Sequence, residues 1–139
     1  MSLTPVDQEV FDWVRTQTPP ESRFLILTGE DPMSDPVSEW FPALTGRQSI
    51  ATVQGHEWIP GGGFYAFLQS SREVQTCLNG PPSCLDTWLL QNQARFDYIY
   101  IRKSASSPAG PSSLEMLLMA GGQEHLVYDA PTAAILTSR

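Results

Sequence analysis

The chain has 139 residues, of which 41% are hydrophobic and 17% are charged, a size and composition typical of one globular domain. Its net charge is −7, from 15 acidic and 8 basic side chains. That balance argues against binding to nucleic acid, whose phosphates need clustered cations, and against docking on anionic lipid. No apolar stretch approaches the roughly 20 residues that span a bilayer. We therefore expect a single domain over residues 1–139, in which Met1-Ser2-Leu3 could be a remnant of cloning.

The first elements in chain order are an amphipathic helix and a buried strand. Thr4-Pro5-Val6-Asp7 is typical of a helix start, and Thr18-Pro19-Pro20 predicts its end. The run over residues 23–28 is apolar on both faces, which is typical of a central strand between two layers of helices. Because open α/β sheets place ligands at the carboxyl ends of their strands, the loop over residues 29–35 is the first candidate site.

The rest of the chain continues the alternation of helices and strands. Proline and glycine positions, apolar spacing and β propensity carry these predictions. The predicted elements are a helix from residue 36 that Pro42 kinks or ends and Gly46 closes, a strand over 48–53, an antiparallel helix pair over 64–78 and 85–95, a strand over 96–101, an exposed linker over 104–113, a helix over 114–120, and strands over 125–128 and 133–137. This order predicts an α/β fold of three layers: a mostly parallel sheet of about five strands, helices on both faces, and a C-terminal antiparallel hairpin at one edge.

Acidic side chains cluster in the loop that follows the first strand. Asp31 and Asp35 lie there, and Glu39 follows one helical turn later. Clustered carboxylates can hold Ca²⁺ or Mg²⁺, but this spacing does not match the known calcium-loop pattern. We favour the alternative in which Asp31 and Asp35 cap a turn and the next helix, each before a proline, and we predict neither a metal nor a cofactor.

The stretch Gln54-Gly55-His56-Glu57-Trp58 precedes three consecutive glycines and is the second candidate site. His56 beside Glu57 could do acid–base chemistry, and Trp58 could stack on a sugar ring. No motif marks a serine or cysteine nucleophile, and the glycines lack the spacing of a phosphate-binding loop. We therefore predict no catalytic residue and favour a structural or contact role for this stretch.

Other prominent side chains have structural interpretations. Arg47 enters the second predicted strand and could pair with Glu39 or Glu57 across the top of the sheet, which would fix the loop without a ligand. Trp58 is the tryptophan that we expect to be exposed. The tryptophans expected in the core are Trp13, Trp40 and Trp88.

The two cysteines, Cys77 and Cys84, enclose Asn79-Gly80-Pro81-Pro82, a turn-forming sequence that could bring the thiols together. A disulfide there would stabilise the fold by about 2–3 kcal/mol on the chain-entropy model, and it would favour an oxidising compartment. The alternatives are two free buried thiols or half of a metal site, for which no second pair of ligands is present. We predict the disulfide.

Several segments of the chain together resemble a known family. They are Trp13-Val14-Arg15, Thr18-Pro19, Ser22-Arg23-Phe24-Leu25, Glu39-Trp40-Phe41-Pro42-Ala43-Leu44-Thr45-Gly46-Arg47 and Gln54-Gly55-His56-Glu57-Trp58. They resemble the soluble tail of multi-pass membrane glycosyltransferases that use lipid-phosphate sugars, namely dolichyl- or polyprenyl-phosphate-mannose mannosyltransferases and oligosaccharyltransferase-like enzymes. In that group a helix of the Trp-Ile-Arg-x-x-Thr-Pro kind follows the last membrane span and enters an α/β domain. The closing Val127-Tyr128-Asp129 and Ala134-Ile135-Leu136 are similar to the terminal hairpin of such tails.

The resemblance implies a non-catalytic extracytoplasmic domain, periplasmic or on the cell surface, because the catalytic carboxylates of that family lie in membrane-proximal loops outside this chain. The implied partners are the transmembrane part of a parent protein and, through Glu39, Glu57 and Trp58, a glycan or acceptor. Two alternatives stay open. One is a free-standing, cytoplasmic, small-molecule-binding α/β protein or minor enzyme that uses the strand-end loops, and the other is a scaffold that only mediates protein contact.

Overall fold

The computed structural model describes residues 4–29, 35–50, 63–77, 82–92, 94–102, 124–130 and 133–138. The elements in this part of the chain are α1 (Pro5–Gln17), β1 (Arg23–Leu27), α2 (Pro36–Thr45), β2 (Gln48–Ser49), α3 (Gly63–Thr76), α4 (Pro82–Gln91), β3 (Tyr98–Arg102), β4 (Glu124–Asp129) and β5 (Ala133–Ser138). The strands form one sheet in the order β2-β1-β3-β5-β4. The strands β2, β1 and β3 are parallel, and β5 runs antiparallel to both of its neighbours. The predicted α/β fold with a C-terminal antiparallel hairpin at one edge is confirmed.

Helices cover both faces of the sheet because β1 sends large apolar side chains to each side. Phe24 and Ile26 are buried in one core with residues of α1 and α2, while Leu25 and Leu27 are buried in another with residues of α3 and α4. Full burial of one such side chain stabilises the fold by about 1.5–3 kcal/mol. The apolar run that the sequence shows at this strand therefore explains the three layers.

The first helix begins and ends where the sequence predicts. The backbone N–H of Asp7 donates to Oγ1 of Thr4 at 3.1 Å, and the backbone N–H of Thr4 donates to Oδ2 of Asp7 at 2.9 Å, which completes a capping box. The helix ends at Gln17, and Thr18 is extended with φ −120° and ψ 151°. Extended backbone is what the following proline requires of Thr18.

The second helix departs from the prediction at Pro42. Of the two effects predicted for that proline, an end of the helix is wrong, because α2 continues to Thr45. Phe41 holds the helix on the sheet across this point, with its ring centroid 5.5 Å from that of Phe11 and 4.9 Å from that of Phe24. Gly46 closes the helix as predicted, with a φ of 70° in the left-handed region.

The tryptophans only partly follow the core prediction. Trp88 is buried, and Trp13 is half-buried against the ring of Tyr128, with centroids 4.7 Å apart. Trp40 is 47% exposed, so the prediction of a core position is wrong for this residue. The buried Val37 and Phe41 take the positions of α2 that pack on the sheet, which leaves Trp40 on the outer side.

The disulfide between Cys77 and Cys84 is present, with Cα atoms 5.6 Å apart, and it joins the end of α3 to the start of α4. The second predicted strand is present as β2, where Gln48 and Ser49 pair with β1, and residues 51–53 of that prediction lie outside the described residues. The predicted linker over 104–113 and the predicted helix over 114–120 lie outside the described residues. In the part of the chain that the structure describes, no helix is long and apolar enough to cross a membrane.

Replacing Cys77 and Cys84 together by serine should lower the free energy of unfolding by about 2–3 kcal/mol, because the unfolded chain then gains the freedom of an open loop. Urea unfolding of the oxidised protein and the double variant measures the difference. Dithiothreitol is the control, since it should destabilise the wild-type protein equally and leave the double variant unchanged. Equal midpoints with equal slopes for the two oxidised samples would contradict this prediction.

Candidate functional site

Two connections leave neighbouring strands of the sheet on opposite faces. After β1 the chain passes through α2 on one face to β2, and it then reaches β3 by way of α3 and α4 on the other face. The strand order β2-β1-β3 reverses its direction between β1 and β3, so the carboxyl ends of these two strands form a topological switch point, which is the usual ligand position in an open α/β sheet. The sequence predicted a site at the end of β1, and the fold adds the end of β3 to it.

Asp35 is the predicted site residue that lies at this switch point. It is 1% exposed, its Oδ1 accepts from the backbone N–H of Val37 at 3.1 Å, and its Oδ2 accepts from Oγ1 of Thr28 at 2.8 Å. The side chain thus caps α2 and ties its N-terminus to the end of β1, which supports the capping alternative over a metal site. Among the described residues, no three His, Cys, Asp or Glu side chains lie close enough together to hold a metal ion.

Arg47 joins the C-terminal ends of α1 and α2. Its Nε donates to Oγ1 of Thr18 at 3.0 Å, and its Nη2 donates to the carbonyl oxygens of Arg15 and Thr18, each at 2.8 Å. Its Nη1 donates to the carbonyl oxygen of Thr45 at 3.1 Å. A cation at the last carbonyls of two helices also meets the negative ends of both helix dipoles. Within the described residues these oxygens, and not the predicted partner Glu39, bind the guanidinium.

The remaining predicted binding residues are not brought together in the described structure. Glu39 is exposed in the first turn of α2. Asp35 and Arg47 flank opposite ends of α2, so they do not form one site. The predicted residues outside the described part of the chain are Asp31, His56, Glu57 and Trp58.

Gln75 is a residue of the switch point that the sequence did not reveal. Its Oε1 accepts from the backbone N–H groups of Thr28 at 2.9 Å and Gly29 at 3.1 Å, and its Nε2 donates to the carbonyl oxygen of Ile26 at 2.9 Å. One amide from α3 therefore satisfies three backbone groups at the carboxyl end of β1. A glutamine inside a helix carries no local signal of such a contact, which depends entirely on how α3 packs on the sheet.

A buried polar cluster at the end of β3 was also missed. Nη2 of Arg102 donates to Oδ2 of Asp7 at 3.1 Å, and Asp7 is 0% exposed. Tyr100, two residues earlier on the same face of β3, is fully buried. Burial raises the pKa of Tyr100 far above its usual value, the carboxylate of Asp7 acts in the same direction, and Arg102 opposes them. The phenol is therefore neutral at any physiological pH and can donate a hydrogen bond.

Two open grooves of about 330 and 340 Å³ lie beside Trp88 in the helical layer of α3 and α4. The disulfide lies in the wall of the first groove, with Glu73 and several hydroxyl and amide side chains. The indole N–H of Trp88 is already used, since it donates to the carbonyl oxygen of Ser70 at 2.8 Å. Of the predicted binding residues that the structure describes, none lines either groove, so these grooves are separate from the described part of the switch point.

Together, the fold and the switch point define a three-layer α/β domain with a mixed sheet and a buried polar cluster at the ends of its two central parallel strands. No family model, no curated protein and no solved structure matches the chain. The residues and their contacts are therefore the basis for a proposed function.

Changing Arg47 to lysine should lower the free energy of unfolding by about 1–3 kcal/mol, because an ammonium cannot reach the carbonyl oxygens of both helix ends at once. Chemical denaturation measures the loss. Arg15→Lys is the matched control, since the side chain of Arg15 is 55% exposed and, among the described residues, forms an ion pair only with Asp12 at 3.4 Å. The control should change stability by less than about 0.5 kcal/mol. A similar loss in both variants would mean that Arg47 does not hold the two helices together.

Proposed function

We propose that the chain is a non-catalytic extracytoplasmic domain of a membrane glycosyltransferase-like protein, in which it contacts the transmembrane part and contributes to binding a glycan or acceptor. The proposal begins with the resemblance of the segments around Trp13, Thr18 and Arg47 to the tails of such enzymes. The order of α1, an extended turn and β1, followed later by a terminal hairpin, agrees with that resemblance.

The non-catalytic part of the proposal rests on Asp35 and Arg47, because the hydrogen bonds of these two charged side chains are made within the fold itself. Both carboxylate oxygens of Asp35 accept hydrogen bonds from the chain. The guanidinium of Arg47 donates four hydrogen bonds to oxygen atoms at the ends of two helices. A general acid, a general base or a charged clamp must instead reach the substrate. These two residues therefore stabilise the domain and do not supply chemistry.

The disulfide supports the proposed side of the membrane. Cys77 is buried at 1% exposure and bonded to Cys84. Disulfides persist in oxidising compartments and are rare in the cytosol, where thiol systems reduce them. A domain held outside the cytosol keeps this bond between α3 and α4.

The proposal is tested in cells that express the natural gene. An antibody against the chain should detect it in the membrane fraction, as part of a polypeptide much larger than 139 residues. Protease added to cells whose outer surface or periplasm has been made accessible should degrade the domain while the cytosol stays intact. A cytosolic protein of known location is the control. A free domain in the cytosolic fraction, with thiols that react without prior reduction, would contradict the proposal.

A second candidate function is a small-molecule-binding protein that uses the strand-end loops. The observation that favours it is the switch point between β1 and β3, where Thr28 and Asp35 meet. It would act through Asp31, Asp35 and His56, and it needs no parent protein.

A thermal-shift screen separates the two candidate functions. The first candidate predicts no substantial shift of Tm with nucleotides, Ca²⁺ or Mg²⁺, because it dedicates no carboxylate cluster or phosphate-binding loop to them. The second predicts a shift with a nucleotide, or a shift with a metal ion that Asp31→Ala abolishes. Glu21→Ala, which removes an exposed carboxylate before β1, is the control for a non-specific effect of charge.

A further inference from the structure

Two polar atoms inside the protein have no hydrogen-bond partner among the described residues. They are Oδ1 of Asp7 and the hydroxyl oxygen of Tyr100, and both residues are 0% exposed. Buried polar groups in folded proteins almost always have a partner, because losing water without replacing its hydrogen bond is unfavourable. Each atom therefore calls for a partner that the described chain does not supply, and an ordered water is a common one.

Both atoms belong to the cluster at the carboxyl end of β3. Asp7 is held there by its capping box with Thr4 and by Arg102, whose side chain is 20% exposed, so the cluster adjoins the surface. Tyr100 lies two residues before Arg102 on the same face of β3, and the centroid of its ring lies 6.1 Å from that of Phe11, one helical turn after Asp7 in α1. The first turn of α1 thus lies over the end of β3 at the switch point.

We propose that Oδ1 of Asp7 and the hydroxyl of Tyr100 bind one neutral oxygen that both donates and accepts a hydrogen bond, an ordered water or the hydroxyl group of a sugar or other polyol. The bound oxygen donates to the carboxylate, which can only accept, and accepts from the phenol, which keeps its proton. An anion would be repelled by the carboxylate of Asp7. A cation would face the guanidinium of Arg102 and the phenol proton, so a neutral hydroxyl is the chemistry that fits. The site is independent of the proposed parent protein.

The test is the effect of Tyr100→Phe on thermal unfolding. An unpartnered buried hydroxyl is unfavourable, so its removal would leave Tm unchanged or raise it. A hydroxyl bonded to a bound oxygen is favourable, and its removal should lower Tm by about 4 °C. Tyr98→Phe is the matched control, because Tyr98 lies on the same face of β3 and is only half-buried against Phe24. It should leave Tm within about 1 °C of the wild-type value.

The source of the oxygen is identified by repeating both measurements with the neutral hexose D-mannose. A sugar hydroxyl in the site predicts that D-mannose raises the Tm of the wild-type protein and of Tyr98→Phe but not that of Tyr100→Phe. An ordered water predicts the loss in Tyr100→Phe, with D-mannose giving the same shift in all three proteins. NMR should then show a slowly exchanging hydroxyl proton of Tyr100 with a cross-relaxation signal to water. An unchanged or raised Tm for Tyr100→Phe, together with fast exchange of that proton, would overturn the proposal.

Discussion

The burial of β1 on both faces is the constraint on which the rest of the structure depends. Its four apolar residues after Arg23 alternate between two cores, so helices must lie above and below the sheet. A strand in the middle of the sheet also needs neighbours on both edges, which here are β2 and β3. To supply both layers and both neighbours, the chain leaves β1 on one face and arrives at β3 from the other. The switch point is therefore a consequence of the hydrophobic pattern of a single strand.

Closing the ends of that strand requires polar side chains from distant elements. Where β1 ends, the backbone N–H groups of Thr28 and Gly29 lose their sheet partners, and Gln75 replaces them from α3. Asp35 satisfies the hydroxyl of Thr28 and the first turn of α2 in the same way. At the other end of the same helical layer, Arg47 donates hydrogen bonds to the terminal carbonyl groups of α1 and α2. Features that look like binding groups in the sequence are thus needed to satisfy backbone atoms that the fold removes from water.

The parts of the structure that were predictable are those that depend on neighbouring residues. The period of the apolar side chains, the capping residues of α1 and the turn between Cys77 and Cys84 all act over a few positions, so the layers, the terminal hairpin and the disulfide could be predicted. The pair of Asp7 and Arg102 joins residues 95 positions apart, and no local pattern marks it. The prediction for Trp40 was wrong for a related reason. The hydrophobicity of this residue suggests the core, but the packing of α2 on the sheet decides which face of the helix points inward.

The candidate site was harder to predict than the fold because a charged residue in a sequence does not reveal whether its bonds are already used. Asp35 and Arg47 are charged residues of the kind that bind ligands, yet each of them completes the hydrogen bonding of a helix end. In the sequence, Tyr100 is typical of a core residue in a β strand, and Asp7 is typical of the first turn of a helix. Each of the two nevertheless has a buried polar atom without a partner in the described chain. An atom that has lost water and gained nothing in return carries an unfavourable free energy that a bound group would remove. The proposed oxygen site therefore rests on buried atoms with unused hydrogen-bonding capacity, and not on the density of charge along the chain.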